Sequence, residues 1–261
     1  MNLTQFFRSP GRPSATSFDS LQPQDLARNS RTMKSFLHRV AFIALLVPIL
    51  APAAESARNE YARVLKATPD EVHGAELFDQ CTSCHGADGG GETNGSTPRI
   101  AGQHYRVIAR QIVDFRHGKR WDFRMEGMAD RHHIKGAQDI ADVAAYVSKL
   151  ARPGNRGIGS GELVVEGSRI FAQQCESCHG REAEGNAERG VPRLAGQHYS
   201  YLMRQMYDAV DGRRPALPAL HSQRIEPLNY EQVRAVSDYL ARVGWDVSSA
   251  APTIPEPHSA P

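Results

Sequence analysis

The sequence predicts an all-α protein of two tandem domains, each wrapped around a covalently attached group. All four cysteines fall in two copies of one pentapeptide, which begin at Cys81 and Cys175, 94 residues apart. A second segment, Pro98 to Tyr105, recurs at the same offset from Pro192 to Tyr199, so the chain contains a duplication. Apolar residues in both repeats follow helical spacing, and no alternating apolar run is long enough for a sheet.

Each repeat contains three predicted helices in the same order: one that leads into the cysteines, a middle helix and a closing helix. They run over Gly74 to Phe78, Gln103 to Arg116 and Ala137 to Leu150 in the first repeat, and over Gly167 to Phe171, Gln197 to Val210 and Tyr230 to Val243 in the second. Each repeat is about 80 residues long, which is small for a domain that must bury its own core. A large apolar cofactor in the middle of each repeat solves that problem.

The composition divides the chain into four regions after its N-terminal part. The first domain spans 69–150, and a glycine-rich linker spans 151–164. The second domain spans 165–245. The last segment, 246–261, contains four prolines and is predicted to be disordered.

The N-terminal part of the chain has the pattern of an export signal. Residues 33–53 combine a basic start, an apolar run from Val40 to Leu50 and the small residues Ala51-Pro52-Ala53. The run is too short to span a bilayer of about 30 Å, although an uncleaved membrane anchor is the alternative. Residues 1–32 are either an untranslated or disordered extension ahead of a start at Met33, or a long beginning to the same signal. The pattern predicts a periplasmic protein.

The two pentapeptides have the form Cys-x-x-Cys-His, the attachment signature of c-type heme. They read Cys81-Thr82-Ser83-Cys84-His85 and Cys175-Glu176-Ser177-Cys178-His179. Two thiols one helical turn apart form thioethers with the porphyrin vinyl groups, and the adjacent imidazole binds the iron. A redox dithiol, a zinc site and structural disulfides are the alternatives, but none explains both histidines and the gapless repeat. The sequence therefore predicts two covalently bound heme c groups.

Over nearly all of residues 69–245 the chain resembles the diheme cytochrome c4 family of bacterial periplasmic electron carriers. The resemblance rests on the paired Cys-x-x-Cys-His-Gly motifs, the repeated Pro-x-x-Ala-Gly-Gln segment, and a closing helix that contains a tyrosine, Tyr146 or Tyr239. It implies two class I cytochrome c domains that pack face to face with their hemes near each other.

The resemblance also implies a hydrogen bond behind each iron-binding histidine. The carbonyls of Pro98 and Pro192 are expected to accept a hydrogen bond from the rings of His85 and His179. Such a bond fixes the orientation of the imidazole and its donor strength.

The sixth ligand of the first heme is expected to be a methionine from the loop before the closing helix. Two methionines lie there, Met125 and Met128. The family's ligand lies eighteen residues before the closing-helix tyrosine, which from Tyr146 gives Met128, the preferred ligand. The family's Met-x-x-Met-Ala pattern, read from its left end, gives Met125 as the alternative.

The corresponding loop of the second repeat has no methionine. Counting back eighteen residues from Tyr239 gives His221, which the sequence predicts as the distal ligand of a bis-histidine heme. The alternative is a five-coordinate or water-bound iron. Without a thioether ligand, the second heme is expected to have the lower potential.

The predicted function is electron transfer rather than enzymatic catalysis. Redox proteins are the expected partners: a quinol-oxidising complex or a dehydrogenase as donor and a terminal oxidase or reductase as acceptor, with association to a membrane complex possible. The formal net charge of +2 gives no reason to expect a nucleic-acid partner. A heme enzyme, or a subunit of a peroxidase or sulfur-compound dehydrogenase with an open second heme, is the alternative.

Overall fold

The computed structural model describes residues 55–154 and 157–244. The expected N-terminal extension, export signal and C-terminal tail lie outside these residues. The helices are α1 Ala57–Val64, α2 Glu71–Phe78, α3 Thr82–His85, α4 Tyr105–Arg116, α5 Phe123–Met128, α6 Ala137–Lys149, α7 Val164–Gln174, α8 Glu176–His179, α9 Tyr199–Val210, α10 Ala219–Ile225 and α11 Tyr230–Arg242. Within the described ranges there is no β-strand, and only one isolated bridge, between Asn186 and Val191. The all-α prediction is confirmed.

The predicted middle and closing helices are α4, α6, α9 and α11, and each lies within two residues of its expected bounds. The leading helices start earlier than predicted. Asp70 explains the start of α2, because its side chain accepts hydrogen bonds from the backbone N–H groups of Val72 and His73. Five helices were not among those expected: α5 and α10, which occupy the predicted loops before the closing helices, the short α3 and α8 of the attachment motifs, and α1, which precedes the first repeat.

In each repeat the leading helix crosses the closing helix at a glycine. A Cβ atom on Gly74 would lie 2.2 Å from the carbonyl oxygen of Asp142, and one on Gly167 would lie 2.0 Å from that of Ala235. No side chain fits at either position, so glycine allows the two helix backbones to touch.

Equivalent aromatic pairs fill the space beside the two crossings. The ring centroids of Phe78 and Tyr146 lie 5.5 Å apart, and those of Phe171 and Tyr239 lie 5.6 Å apart. Both phenylalanines are almost fully buried. The duplication seen in the sequence is therefore preserved in the packing of the two cores.

Among the described residues of the second repeat, none form a counterpart of α1. Helix α1 packs against α4 and α6 and buries Val64 and the carboxylate of Glu60 completely. The side chain of Ser56 caps it by accepting a hydrogen bond from the N–H of Asn59. The first repeat is thus extended on its N-terminal side by one helix.

The repeated Pro-x-x-Ala-Gly-Gln segments form much of the contact between the two repeats. The amide of Gln103 donates to the carbonyl of Arg193 and accepts from its N–H, both at 2.9 Å. The amide of Gln197 makes the same pair of bonds to the backbone of Arg99, at 2.8 and 3.0 Å. The segment that repeats in the sequence therefore pairs with its own copy in the structure.

Two histidines extend this contact. His104 Nε2 donates to the carbonyl of Glu184, and His198 Nε2 donates to the carbonyl of Gly90, each at 2.8 Å.

Of the residues that the structure describes, none belong to a helix long and apolar enough to cross a bilayer.

Candidate heme-binding sites

The two pentapeptides adopt the same local structure. In each, the first cysteine is half-buried, the second is exposed and the histidine is buried on one short helical turn. Burial raises the pKa of the Cys81 and Cys175 thiols to about 11, so both are protonated at neutral pH. A redox-active dithiol needs the opposite shift, toward the thiolate. No group of three or more His, Cys, Asp or Glu side chains that could hold a metal ion occurs in residues 55–154 and 157–244.

The proximal histidines are held identically. Nδ1 of His85 donates to the carbonyl of Pro98, and Nδ1 of His179 donates to the carbonyl of Pro192, both at 3.1 Å. The hydrogen bond fixes the tautomer, which leaves the Nε2 lone pair free to bind a metal. Burial lowers the pKa of both imidazoles, and this favours the neutral form that a metal needs.

On the distal side of the first repeat, α5 carries both candidate methionines. Asp122 caps this helix by accepting hydrogen bonds from the N–H groups of Arg124 and Met125. Met125 and Met128 are both half-buried, and Met125 packs against the hydrophobic core of the repeat.

On the distal side of the second repeat, α10 brings His221 opposite His179. The centroids of the two imidazole rings lie 6.3 Å apart, and the ring planes are inclined at 65°. Nδ1 of His221 is buried and has no hydrogen-bond partner. Burial, followed by the charges of His179 and Arg214, lowers the pKa of His221 to about 4, so the ring is neutral.

Position within the distal helix pairs His221 with Met125, whereas the count back from the closing-helix tyrosine pairs His221 with Met128. Met125 is the third residue of α5 and His221 is the third residue of α10, whereas Met128 is the last residue of α5. The segment between Met125 and the start of α6 is three residues longer than the segment between His221 and the start of α11, so counting back from the closing-helix tyrosine does not pair these two residues.

Three arginines line a small cavity between the repeats: Arg99, Arg152 and Arg193. Nε and Nη2 of Arg99 and Nε of Arg193 are buried without a hydrogen-bond partner. Burial, followed by the charge of Arg152, lowers the pKa of Arg99 to about 10. Buried donors without a hydrogen-bond partner are the complement of an anionic group.

The residues present therefore fit heme c in both repeats. Each pentapeptide offers two thiols for covalent attachment and one buried, oriented imidazole for iron. The unpaired arginine donors suit the two carboxylates that a heme carries on its rim. The imidazole of His221, whose buried Nδ1 has no hydrogen-bond partner, could supply a second ligand to an iron bound by His179.

Comparison with known proteins agrees with this geometry. The cytochrome c family model matches twice, at residues 72–151 and 164–244. Cytochrome c4 of Pseudomonas aeruginosa is 32% identical over 156 residues, which cover 57% of this chain and 75% of that protein. The crystal structure of reduced recombinant cytochrome c4 from Pseudomonas stutzeri superposes with a TM-score of 0.61 at 27% identity, covering 67% of this chain and all of that one.

The chain belongs to the diheme cytochrome c4 family. It binds two covalent hemes, one in each repeat. A further relative, named thiosulfate dehydrogenase electron acceptor, comes from Thiomonas intermedia. It is 32% identical over 172 residues, which cover 62% of this chain and 77% of that protein.

Two sets of residues in this cytochrome c4 family member have roles that were not expected from its sequence. Gln103 and Gln197 join the two domains, and the only sequence signal for this was that they recur in the duplicated segment. Arg99 and Arg193 recur in the same segment, and each places at least one guanidinium nitrogen without a hydrogen-bond partner in the interface. A duplicated polar residue in an otherwise apolar motif is therefore a useful indicator of an interface between repeats.

Proposed function

We propose that this chain carries single electrons between redox proteins, through a first heme with histidine–methionine ligation and a second heme with histidine–histidine ligation. The main support for the proposal is that the two repeats are alike on the proximal side of the site and differ on the distal side. The proximal histidines are held alike in both repeats, whereas the distal helix offers methionine in the first repeat and histidine in the second.

The geometry of the second repeat supports His221 as an axial ligand. An imidazole nitrogen binds a metal ion at about 2 Å, so two imidazoles on opposite sides of one ion have ring centres about 6 Å apart. The observed separation of His179 and His221 is 6.3 Å. A buried, neutral imidazole without a partner is also costly unless a ligand takes its lone pair.

In the first repeat, the helix register supports Met125 over Met128 as the ligand. Met125 occupies the position in α5 that His221 occupies in α10, and it packs toward the core. Met128 lies one turn further on, at the end of the helix.

Each bound heme supplies an iron that cycles between the ferric and ferrous states, and the chain sets the potential at which it does so. A thioether stabilises the ferrous state relative to an imidazole, so the second heme has the lower potential. The hydrogen bonds from His85 and His179 to the proline carbonyls raise the basicity of both proximal ligands equally. The step in potential therefore arises on the distal side.

The donor is a quinol-oxidising complex or a dehydrogenase, and the acceptor is a terminal oxidase or reductase. The Thiomonas relative, by its name, accepts electrons from a dehydrogenase, which supports a donor of that class. The protein works in the periplasm, to which residues 33–53 direct it. The mass of the purified protein tests this step, because cleavage leaves a chain that begins near Ala54.

The alternative is a heme enzyme that uses an open position on the second heme. The placement of His221 opposite His179 counts against an open position. Rapid binding of cyanide or azide by the ferric protein, together with turnover of peroxide or thiosulfate, would favour the enzyme.

Potentiometric titration with low-temperature EPR on the oxidised protein tests the proposal. We expect two low-spin ferric signals that titrate at separate potentials, with the histidine–histidine signal at the lower one. A high-spin signal in the wild-type protein, or two histidine–methionine signals, contradicts it.

A further inference from the structure

The side chain of Arg116, the last residue of α4, reaches the segment that follows the distal helix of the first repeat. Its Nε donates to the carbonyl of Ala129 at 2.7 Å, and its Nη2 donates to the carbonyl of Ile134 at 2.5 Å. The N–H of Ala129 in turn donates to the carbonyl of Met125 at 2.8 Å. Arg116 is therefore linked through Ala129 to the backbone of Met125, the candidate ligand.

The third nitrogen of the Arg116 guanidinium, Nη1, bonds to a side chain of α1. Nη1 of Arg116 bonds to Oε1 of Glu60 at 2.5 Å, and Oε2 of Glu60 accepts from Nε2 of His117 at 2.6 Å. The side chain of Arg116 is 5% exposed and that of Glu60 is fully buried. Arg131, on the clamped segment itself, reaches Glu60 at 3.4 Å. A buried ion pair thus joins α1, α4 and the loop after α5.

The described part of the second repeat contains no equivalent ion pair at this place. The residue of α9 that corresponds in position to Arg116 is Val210, which is 43% exposed. Helix α10 is tied to α9 through a single hydroxyl, that of Ser222, which donates to the carbonyl of Ala209 at 3.0 Å. The clamp occurs in the repeat whose loop after the distal helix is four residues longer.

We propose that Arg116 and Glu60 act as positioning residues that hold α5 and its methionine against the first heme. The proposal rests on methionine ligation of that heme, as proposed above. A longer loop opens more readily, since its closed form restricts more residues. A thioether is a weaker donor than an imidazole, so methionine ligation gains more from a clamped loop than histidine ligation does. Helix α1 thereby serves as a brace for a ligand that lies more than sixty residues away in the sequence.

The test uses the holoprotein with Arg116→Ala, Arg116→Lys and Glu60→Gln, and Arg169→Ala as the control. Lysine keeps the charge of Arg116, but it cannot bond Glu60 and both carbonyls with fixed geometry. Arg169 forms an exposed pair with Glu166 on α7 and touches no distal loop. Two properties of the ferric protein are measured: the long-wavelength methionine-to-iron charge-transfer band, and the affinity of added imidazole for the first heme.

We expect a weaker charge-transfer band and an imidazole affinity at least tenfold higher in both Arg116 variants, with a smaller change in Glu60→Gln. The EPR signal of the second heme stays as in the wild type, which separates this effect from general unfolding. If both Arg116 variants keep the wild-type band and the wild-type imidazole affinity, the positioning role of Arg116 and Glu60 is wrong, and methionine ligation is unaffected. Absence of the band in the wild-type protein overturns methionine ligation, and the clamp with it.

Discussion

The imidazole rings of His179 and His221 have their centroids 6.3 Å apart; Nδ1 of His179 bonds to a proline carbonyl, whereas Nδ1 of His221 is buried without a hydrogen-bond partner. The separation equals that of two imidazoles bound to one metal ion. The two rings therefore differ in support: His179 is fixed by its Nδ1 bond, whereas the orientation of His221 depends on packing.

Replacement of His221 by alanine should convert the second heme from low-spin to high-spin and leave the first heme unchanged. His221 is the side chain of α10 that lies opposite His179, so its removal is expected to leave the position to water or an added ligand. EPR with near-infrared magnetic circular dichroism on the oxidised protein measures both hemes separately. His132→Ala, at an exposed position, is the control. An unchanged low-spin signal in His221→Ala would mean that another residue binds the iron.

The two methionines of α5 can be separated by single substitutions. We expect Met125→Ala to abolish the methionine-to-iron charge-transfer band of the first heme and to lower its potential. Met128→Ala should keep the band, because Met128 lies one turn beyond the position equivalent to His221. Loss of the band in Met128→Ala with its retention in Met125→Ala would restore the assignment obtained from the residue count.

The contribution of Glu60 to stability should depend on pH. Burial by itself raises the pKa of Glu60, but the hydrogen bond from His117 and the charge and hydrogen bond of Arg116 outweigh it, with a further contribution from Arg131, so the pKa lies below its ordinary 4.5. A depressed pKa stabilises the folded chain above the pKa of the unfolded state, and this stabilisation is lost as the pH falls through the folded pKa.

Glu60→Gln should therefore lower the free energy of unfolding at pH 7 by about 1.5–3 kcal/mol, the range for hydrogen bonds to charged groups. The difference from wild type should shrink as the pH falls below about 4.5, where wild-type Glu60 also becomes neutral. Denaturant unfolding at several pH values measures it. Glu166→Gln, which removes an exposed charge, should have little effect at any pH. A difference that stays constant from pH 7 to pH 3 would contradict this account.

The glycine at each helix crossing should be intolerant of a methyl group. Gly167→Ala places a Cβ atom 2.0 Å from the carbonyl oxygen of Ala235, so α7 and α11 must separate. We expect a loss of stability of about 1–3 kcal/mol or more, as for other overpacked cores. Gly136→Ala is the matched control, because a Cβ there meets nothing within 4 Å. Equal midpoints of denaturant unfolding for the two variants would show that the crossing can relax.

Sequence reasoning predicted the helices that are long and periodic, and it missed those that are short. Helices α5 and α10 have six and seven residues, less than the two full turns that a 3.6-residue period needs to become visible. The helix register and the residue count also select different methionines, because the segment from Met125 to α6 is three residues longer than that from His221 to α11, and a count from Tyr146 cannot locate an insertion.

The buried pair of Glu60 and Arg116 shows a second limit. The two residues are 56 positions apart, and nothing in a single sequence distinguishes them from exposed charges. By contrast, the attachment motifs required no such knowledge, since Cys-x-x-Cys-His specifies its own chemistry within five residues. Local chemistry could be predicted here, whereas long-range pairing could not.

The contact between the two domains should depend on Gln103 and Gln197. Each amide pairs with both backbone groups of an arginine in the other repeat, so Gln→Ala leaves two half-buried backbone groups without a protein partner. We expect the double variant to keep both hemes but to lose cooperativity between the domains. In denaturant, the absorbance of the first heme and the EPR signal of the second should then report different unfolding midpoints, whereas in the wild type they coincide. Gln173→Ala, whose amide bonds only to the exposed Arg169, serves as the control. If the midpoints of the double variant still coincide, the buried arginines and their heme carboxylates, rather than the two glutamines, join the domains.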